Sequence, residues 1–282
     1  MERRLGLMAG AGILPARAAT EARRQGWGVV AFAFDEAPGL EAVALATIPS
    51  RLTEIAPVLA ELARQRVAAT VFVGKMAKQS FLAGAGGGAD QAARRLGSGG
   101  LSDAALGGMV VATLGAMNIE VLDQRQFLAP WLLTEALLAA GGLSPRAPTE
   151  AEWREIHAGL VLARQMADHG VGQTVVRAHG VTVAVEAAEG TDETIRRGAR
   201  LAGPGAVIVK AVATGHDYRF DIPTIGAATL TAMAEGGASA LAVEQGKILL
   251  LDGDKVRQVA ADHGIAIVGV DDGKPRDDVA PR

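Results

Sequence analysis

The chain reads as an α/β protein: a Rossmann-like N-terminal domain on a parallel sheet (1–130), a crossover linker (131–148) and a C-terminal α/β domain with a mixed sheet (149–282). Three observations predict this. Short apolar runs alternate with Ala- and Arg-rich helical stretches through the first 122 residues, and such alternation buries a parallel sheet under helices on both faces. Pro130, Gly141, Gly142, Pro145 and Pro148 then interrupt the pattern. The length, 282 residues, exceeds the ~100–200 of an ordinary single domain, so two domains with a cleft between them are expected.

Taken in order, "RLGLMA" (4–9) is a first strand, and a glycine turn leads into a helix from Leu14 to Gln25. "GVVAFAF" (28–34) completes a βαβ unit. Thr53 is placed to cap a helix to Arg66, and "ATVFV" (69–73) is a strand ending at Gly74. The Gly-rich "LAGAGGGADQAARRLGSGG" (82–100) reads as a loop, either a connector or a lid over a ligand. Ser102 caps a helix over 102–116, and "IEVL" (119–122) closes this half.

The second half opens with "TEAE" (149–152), a capping box at the start of an amphipathic helix to Asp168. "GQTVVRAHGVTVAVEA" (172–187) is a hairpin turning at His179-Gly180. A helix follows "EGTDETIRRGAR" (189–200), then a strand "GAVIVKAV" (205–212) and a helix near 225–235. Strands at 239–243 and 247–251, a helix at 254–263, a strand "IAIVGV" (265–270) and a frayed polar tail complete the chain.

Composition narrows the chemistry. A content of 49% hydrophobic and 21% charged residues supports a substantial core. A net charge of −3 lacks the broad cationic surface that nucleic acid or anionic lipid requires, so no nucleic-acid partner is expected. With no cysteine, disulfides, thiolate zinc sites and cysteine nucleophiles are excluded, and a reducing cytoplasm is compatible. The N-terminus reads as a strand rather than a signal peptide. The greasiest segment, "FLAPWLLTEALLAAGGL" (127–143), is shorter than the ~20 residues a membrane span needs and contains Pro130 and Glu135. Five histidines show no H-x-x-x-H pair, which leaves carboxylates, and these prefer Mg²⁺ or Mn²⁺. Neither G-x-S-x-G nor a P-loop lysine motif occurs.

Several motifs carry chemistry. In "MAGAGILPARAA" (8–19), Gly10 and Gly12 would let backbone N–H groups meet a phosphate at a helix start, although a tight turn without ligand explains the same glycines. Pro15 stands where a dinucleotide fingerprint has its third glycine, and Asp35 at the end of the second strand is placed like a ribose-binding acid. Lys75 and Lys78 follow a buried strand at the edge where α/β sheets bind ligands, or are simply solvated. Glu186, Glu189 and Asp192 form an acidic cluster at a strand end, or belong to a helix start capped by Thr191 or Asp192. Lys210 lies inside an apolar run and needs an anionic partner. "GHDYRFDIPTIGAATL" (215–230) concentrates His216, Asp217, Arg219 and Asp221, the last just ahead of Ile222-Pro223, where extended backbone suits a fixed side chain.

"GLMAGAGILP", "GQTVV", "VEAAEGTDETIRR", "VIVKAV" and "RFDIPTIGAATL", in this order, resemble the LpxI family of bacterial UDP-2,3-diacylglucosamine pyrophosphatases. The resemblance implies a two-domain cytoplasmic hydrolase of lipid A biosynthesis. A peripheral contact with the inner membrane and a homodimer are compatible with it. Such an enzyme cleaves the diphosphate of UDP-2,3-diacylglucosamine into UMP and 2,3-diacylglucosamine 1-phosphate with Mg²⁺ or Mn²⁺. The family's essential aspartate, in R-x-D-[LIV]-P-T-[IV]-G, falls on Asp221. The implied catalytic set is Asp221, Lys210 and Arg219, with Asp221 and Asp217 as metal ligands. Substrate contacts would come from Gly10, Gly12, Lys75, Gln173, Glu189, Thr191, Asp192 and Thr224. Phe127, Trp131, Leu132 and Leu133 would line acyl-chain pockets or form ordinary core. The stretch 84–100 is longer than the family pattern leads one to expect. Two other readings stay open: an NAD(P)-dependent oxidoreductase, from the glycine turn and Asp35, and a nucleotide-sugar or lipid-binding module without catalysis.

Overall fold

The computed structural model describes residues 3–76, 103–138 and 142–271; Lys78, the Gly-rich stretch 82–100, Ser102 and the tail beyond Asp271 lie outside them. Contacts divide the chain into two units, one of Met1–Pro130 with Asp217–Asp221 and one of Trp131–His216 with Ile222–Arg282.

In the first unit, β1 (Arg4–Ala9), α1 (Leu14–Arg24), β2 (Gly28–Ala33), α2 (Leu40–Val43), β3 (Ala46–Pro49), α3 (Ile55–Arg64) and β4 (Val67–Val73) precede α4 (Asp103–Gly115), β5 (Glu120–Val121) and α5 (Arg125–Leu128). The five strands are all parallel, in the order β3-β2-β1-β4-β5. That order starts at β1 and runs outward both ways, as in doubly wound sheets. Leu5, Leu7, Val29, Phe32 and Val71 are buried at the centre, which is why these strands read as continuous apolar runs.

Two details differ from the sequence expectation. β3 carries only "ATIP" on a half-buried sheet edge, too short, and ending in proline, for a period-two signal. Thr53 is not the cap of α3: the Glu54 N–H donates to the Arg51 carbonyl at 3.0 Å, so a turn occupies 51–54 and the helix starts after it.

In the second unit, β6 (Thr174–Ala178), β7 (Val181–Val185), β8 (Val207–Lys210), β10 (Ala240–Glu244) and β12 (Ala266–Val270) form a sheet of order β12-β10-β8-β6-β7. β8, β10 and β12 are parallel, whereas β6 runs antiparallel to both β8 and β7. The helices are α6 (Glu135–Leu138), α7 (Glu150–Asp168), α8 (Thr191–Ala202), α9 (Ala227–Glu235) and α10 (Gly253–His263), and β9 (Thr224–Ile225) pairs separately with β11 (Leu249–Leu250). His179 at φ 51° and Gly180 at φ 82° both take the left-handed conformation that a two-residue hairpin turn of matching twist requires.

The described residues of 131–148, expected as a linker, pack within this unit: the Leu133 N–H donates to Ile248, the Gly246 N–H to Leu133, and Leu133 and Leu143 are buried. Phe127 in the first unit and Leu133 in the second are both 0% exposed, so they are core rather than open lining for an acyl chain.

The capping box of α7 forms as its sequence dictates, with the Glu152 N–H donating to Thr149 Oγ1 at 3.2 Å and the Thr149 N–H to Glu152 at 2.7 Å. The same buried carboxylate accepts two bonds from Arg146, at 2.8 and 2.7 Å, and that guanidinium also donates to the carbonyls of Ser239 and Gly264. Burial pushes the Glu152 carboxyl up, but Arg146, Ser239 and Thr149 together outweigh it and hold the group at about 2. A carboxyl that titrates lower in the folded than in the unfolded state contributes stability above its ordinary range, and that stability is lost as pH falls from about 4.5 toward 2. The expected contribution is about 2–3 kcal/mol at pH 7. Urea melts at a series of pH values check it: Glu152→Gln should flatten the acid limb of the stability curve.

Candidate functional site

Because β6 is antiparallel to β8, its first residue lies beside the last residue of β8, with Thr174 in register with Lys210. Polar groups gather at this edge. Lys210, only 4% exposed, donates from Nζ to Thr191 Oγ1 at 2.8 Å, and that hydroxyl donates to Glu186 Oε1 at 3.0 Å. The Gln173 N–H donates to Glu186 Oε2 at 3.3 Å, while the Gln173 carbonyl accepts from Ala211 at 2.9 Å. Gln173, Thr191 and Lys210, far apart in the chain, therefore meet. The buried ammonium reaches a carboxylate through the Thr191 hydroxyl.

One strand over, sequence reasoning missed Glu244. This side chain is 1% exposed at the end of β10. Its Oε1 accepts from Arg164 at 3.0 and 2.6 Å and from Lys247 at 3.3 Å, and its Oε2 accepts from the Val212 N–H. The signal was available, since Glu244 closes an apolar run just as Lys210 does.

The acidic trio does not converge. Glu186 faces Thr191, Asp192 accepts from Thr229 at 3.2 Å, and Glu189 accepts from Thr194 at 3.2 Å and Arg197 at 2.6 Å. The Glu189 backbone N–H and Arg197 hold the Glu189 carboxyl below the usual carboxylate range. α8 is capped by Gly190, at φ 83°, without a side-chain bond. Thr191 and Asp192 do not cap it: both already lie within the helix, with the Thr191 hydroxyl on Glu186 and Asp192 Oδ1 on Thr229. Thr224 Oγ1 donates to the Ile222 carbonyl at 3.1 Å, a local turn contact.

In the first unit the glycine turn also departs from expectation. The N–H groups of Gly10, Ala11 and Gly12 donate to the carbonyls of Val73, Lys75 and Glu36 at 2.9, 2.9 and 3.0 Å. They serve the chain's own backbone rather than a phosphate. Gly10 is needed for close approach, since a Cβ there would fall 2.7 Å from the Lys75 carbonyl oxygen. Lys75 itself is exposed at the end of this stitched pair.

Asp217–Asp221 packs with this unit. The Gln124 N–H donates to the Tyr218 carbonyl at 3.1 Å, and the Arg125 guanidinium lies 3.8 Å from the Tyr218 ring centroid. The Phe220 ring is 5.3 Å from that of Phe72 and rests on Gly107, where a Cβ would come within 2.8 Å of it. Asp217 accepts two bonds from the Arg219 side chain, at 2.8 and 2.7 Å, and raises the guanidinium pKa further. Asp221 follows this anchored run and is exposed. Among the described residues no group of three or more His, Asp and Glu is placed to hold a metal ion, and no helix is long and apolar enough to cross a membrane.

Comparison with known proteins follows the same division. The family model described as LpxI N-terminal domain matches residues 4–131, and that described as LpxI C-terminal domain matches residues 139–268. The UDP-2,3-diacylglucosamine pyrophosphatase LpxI of Caulobacter vibrioides is 34% identical over 150 residues, covering 50% of this chain and 53% of that protein. The match thus spans about half the length of this curated relative. Among solved structures, glycinamide-RNase-transformylase T from Mycobacterium tuberculosis aligns at a TM-score of 0.28 and 14% identity, over 66% of this chain and 44% of that one. Matched in order by both of the family's domains, the chain belongs to the LpxI family.

Proposed function

We propose that the protein hydrolyses the diphosphate of UDP-2,3-diacylglucosamine to UMP and 2,3-diacylglucosamine 1-phosphate. The observation that carries this reading is the state of Asp221: the motif aspartate is exposed at the end of a segment anchored by Tyr218 and Phe220. Hydrolysis adds water across the P–O–P bridge. A new P–O bond forms at one phosphorus, and the bridging oxygen leaves with the other phosphate.

Such a reaction needs negative charge neutralised and a water positioned. Asp221 orients the water or accepts its proton, and Arg219 supplies positive charge beside it. Lys75 offers a second cation toward phosphate oxygens. Lys210 is a positioning residue, setting Thr191 and Glu186 at the edge of the second sheet beside Gln173. Glu189, paired with Arg197, and Asp192, paired with Thr229, hold the start of α8.

The donor set fits Mg²⁺ or Mn²⁺ in one respect. Magnesium is usually bound through one or two carboxylates, with phosphate oxygens and water completing the shell, so a preformed protein cage is not required. Asp221 would hold the ion; Asp217, whose two oxygens are engaged by Arg219, would join only as that pair opens. When bound, the ion neutralises charge on the phosphoryl oxygens. The test is UMP release from UDP-2,3-diacylglucosamine by the full chain with Mg²⁺ or Mn²⁺, abolished by a chelator; no release with either ion sinks the proposal.

The seat of Phe220 yields a second expectation. Gly107→Ala brings a methyl to 2.8 Å from a ring already backed by Phe72, and shifting the segment that carries Asp221 should lower kcat by roughly 10–10²-fold with KM little changed. Adding Phe220→Leu, which removes the ring edge, should recover part of the loss. Steady-state kinetics of the two variants checks it.

A further inference from the structure

A cavity of about 240 Å³ opens at the carboxyl edge of the first sheet, lined by Gly10, Phe34, Asp35, Ser50, Arg51 and Met76 among others. These residues follow β1, β2, β3 and β4, and β1 is where the strand order reverses between β2 and β4. Open α/β sheets bind ligands at such a point, and an acid closing the second strand there commonly meets ribose hydroxyls. Asp35 is two residues past β2 and exposed. Its Oδ1 accepts from the Glu36 N–H at 2.8 Å, which fixes the side chain, and Oδ2 accepts no bond among the described residues.

The glycine turn cannot hold a phosphate here through the N–H groups of residues 10–12, because they donate to protein carbonyls. A cation can do so instead. Arg51 lines the cavity, and among the described residues its side chain is held by a 3.2 Å pair with Glu54 in which the two side chains are 76% and 55% exposed, a contact a phosphate can displace at little cost. Phe34 and Met76 add an apolar wall. Size decides how much ligand fits: whole-ligand pockets span about 300–1,000 Å³, so this one takes part of a substrate.

We infer that this cavity is a ribonucleotide subsite, in which Asp35 accepts hydrogen bonds from the ribose 2′- and 3′-hydroxyls and Arg51 pairs with the 5′-phosphate. The inference rests on the proposed function in taking the nucleotide to be the uridylyl half of the substrate. It goes beyond that reading by giving the half a location and two recognition residues.

The probes are UMP and 2′-deoxy-UMP, titrated calorimetrically into the full chain. The parent should bind UMP about tenfold more tightly than the deoxy form, a loss matching one hydrogen bond to a charged group. Asp35→Asn should weaken UMP by at least that factor and 2′-deoxy-UMP, which keeps only the 3′-hydroxyl bond, by less, and so erase the preference. Arg51→Ala should weaken both equally. In turnover, Asp35→Asn should raise KM with kcat retained. A preference that survives in Asp35→Asn, or a parent that binds neither nucleotide, overturns the inference even if the diphosphate is hydrolysed. A parent that discriminates as described yet releases no UMP from UDP-2,3-diacylglucosamine overturns the proposed function and leaves the subsite standing.

Discussion

Asp221→Ala is expected to lower the rate of UMP release by about 10²–10⁴-fold, the range associated with loss of a positioned proton-transfer or charge-organising group. The side chain is exposed, and the melting temperature of the variant, read beside its turnover, tells a catalytic loss from a folding one. That separation makes the result interpretable, because lost turnover cannot then be blamed on unfolding. Asp221→Asn should behave like alanine, since it keeps the shape and discards the charge. UMP release and thermal melts on the same preparations provide the measurement. Turnover within tenfold of the parent would remove this residue from the mechanism.

Glu244→Ala should be the most destabilising single change, about 3–5 kcal/mol, the usual consequence of removing one partner from a buried ion pair. The carboxylate is 1% exposed and is shared by Arg164, Lys247 and the Val212 N–H. Without it the chain leaving β8 loses the acceptor that turns it toward residues 213–216, and the partly buried Arg164 and Lys247 lose their shared counter-charge. At roughly 2–4 °C per kcal/mol, the melting temperature of the second unit should fall by about 6–20 °C. Glu244→Gln keeps volume and one acceptor and should lose less. A melt of the alanine variant within 2 °C of the parent would refute the assignment.

How much was legible depended on whether a signal was local. The "TEAE" box and the His179-Gly180 hairpin involve partners within a few residues, and both form as written. The parallel first sheet followed from alternation alone. β3 was hidden because four residues ending in proline carry no period. Gly10 signalled close backbone approach, but a sequence does not say whether a phosphate or the Lys75 carbonyl does the approaching. Glu244 and Arg164 are paired across 80 positions, and nothing near either predicts the other. The grouping of Asp217–Asp221 with the first unit was equally invisible, because it depends on Phe72 and Gly107.

That last grouping sets an order of events during synthesis. Among the described residues, Phe220 is the ring that lies on Phe72 and Gly107, and it emerges ~90 residues after Pro130, roughly 5–20 s later at ordinary elongation rates. The nascent sheet thus spends this interval without that contact. Expressed alone, residues 1–130 would lack the Phe220 contact with Phe72 and Gly107, so cutting the chain there removes part of this unit's own packing.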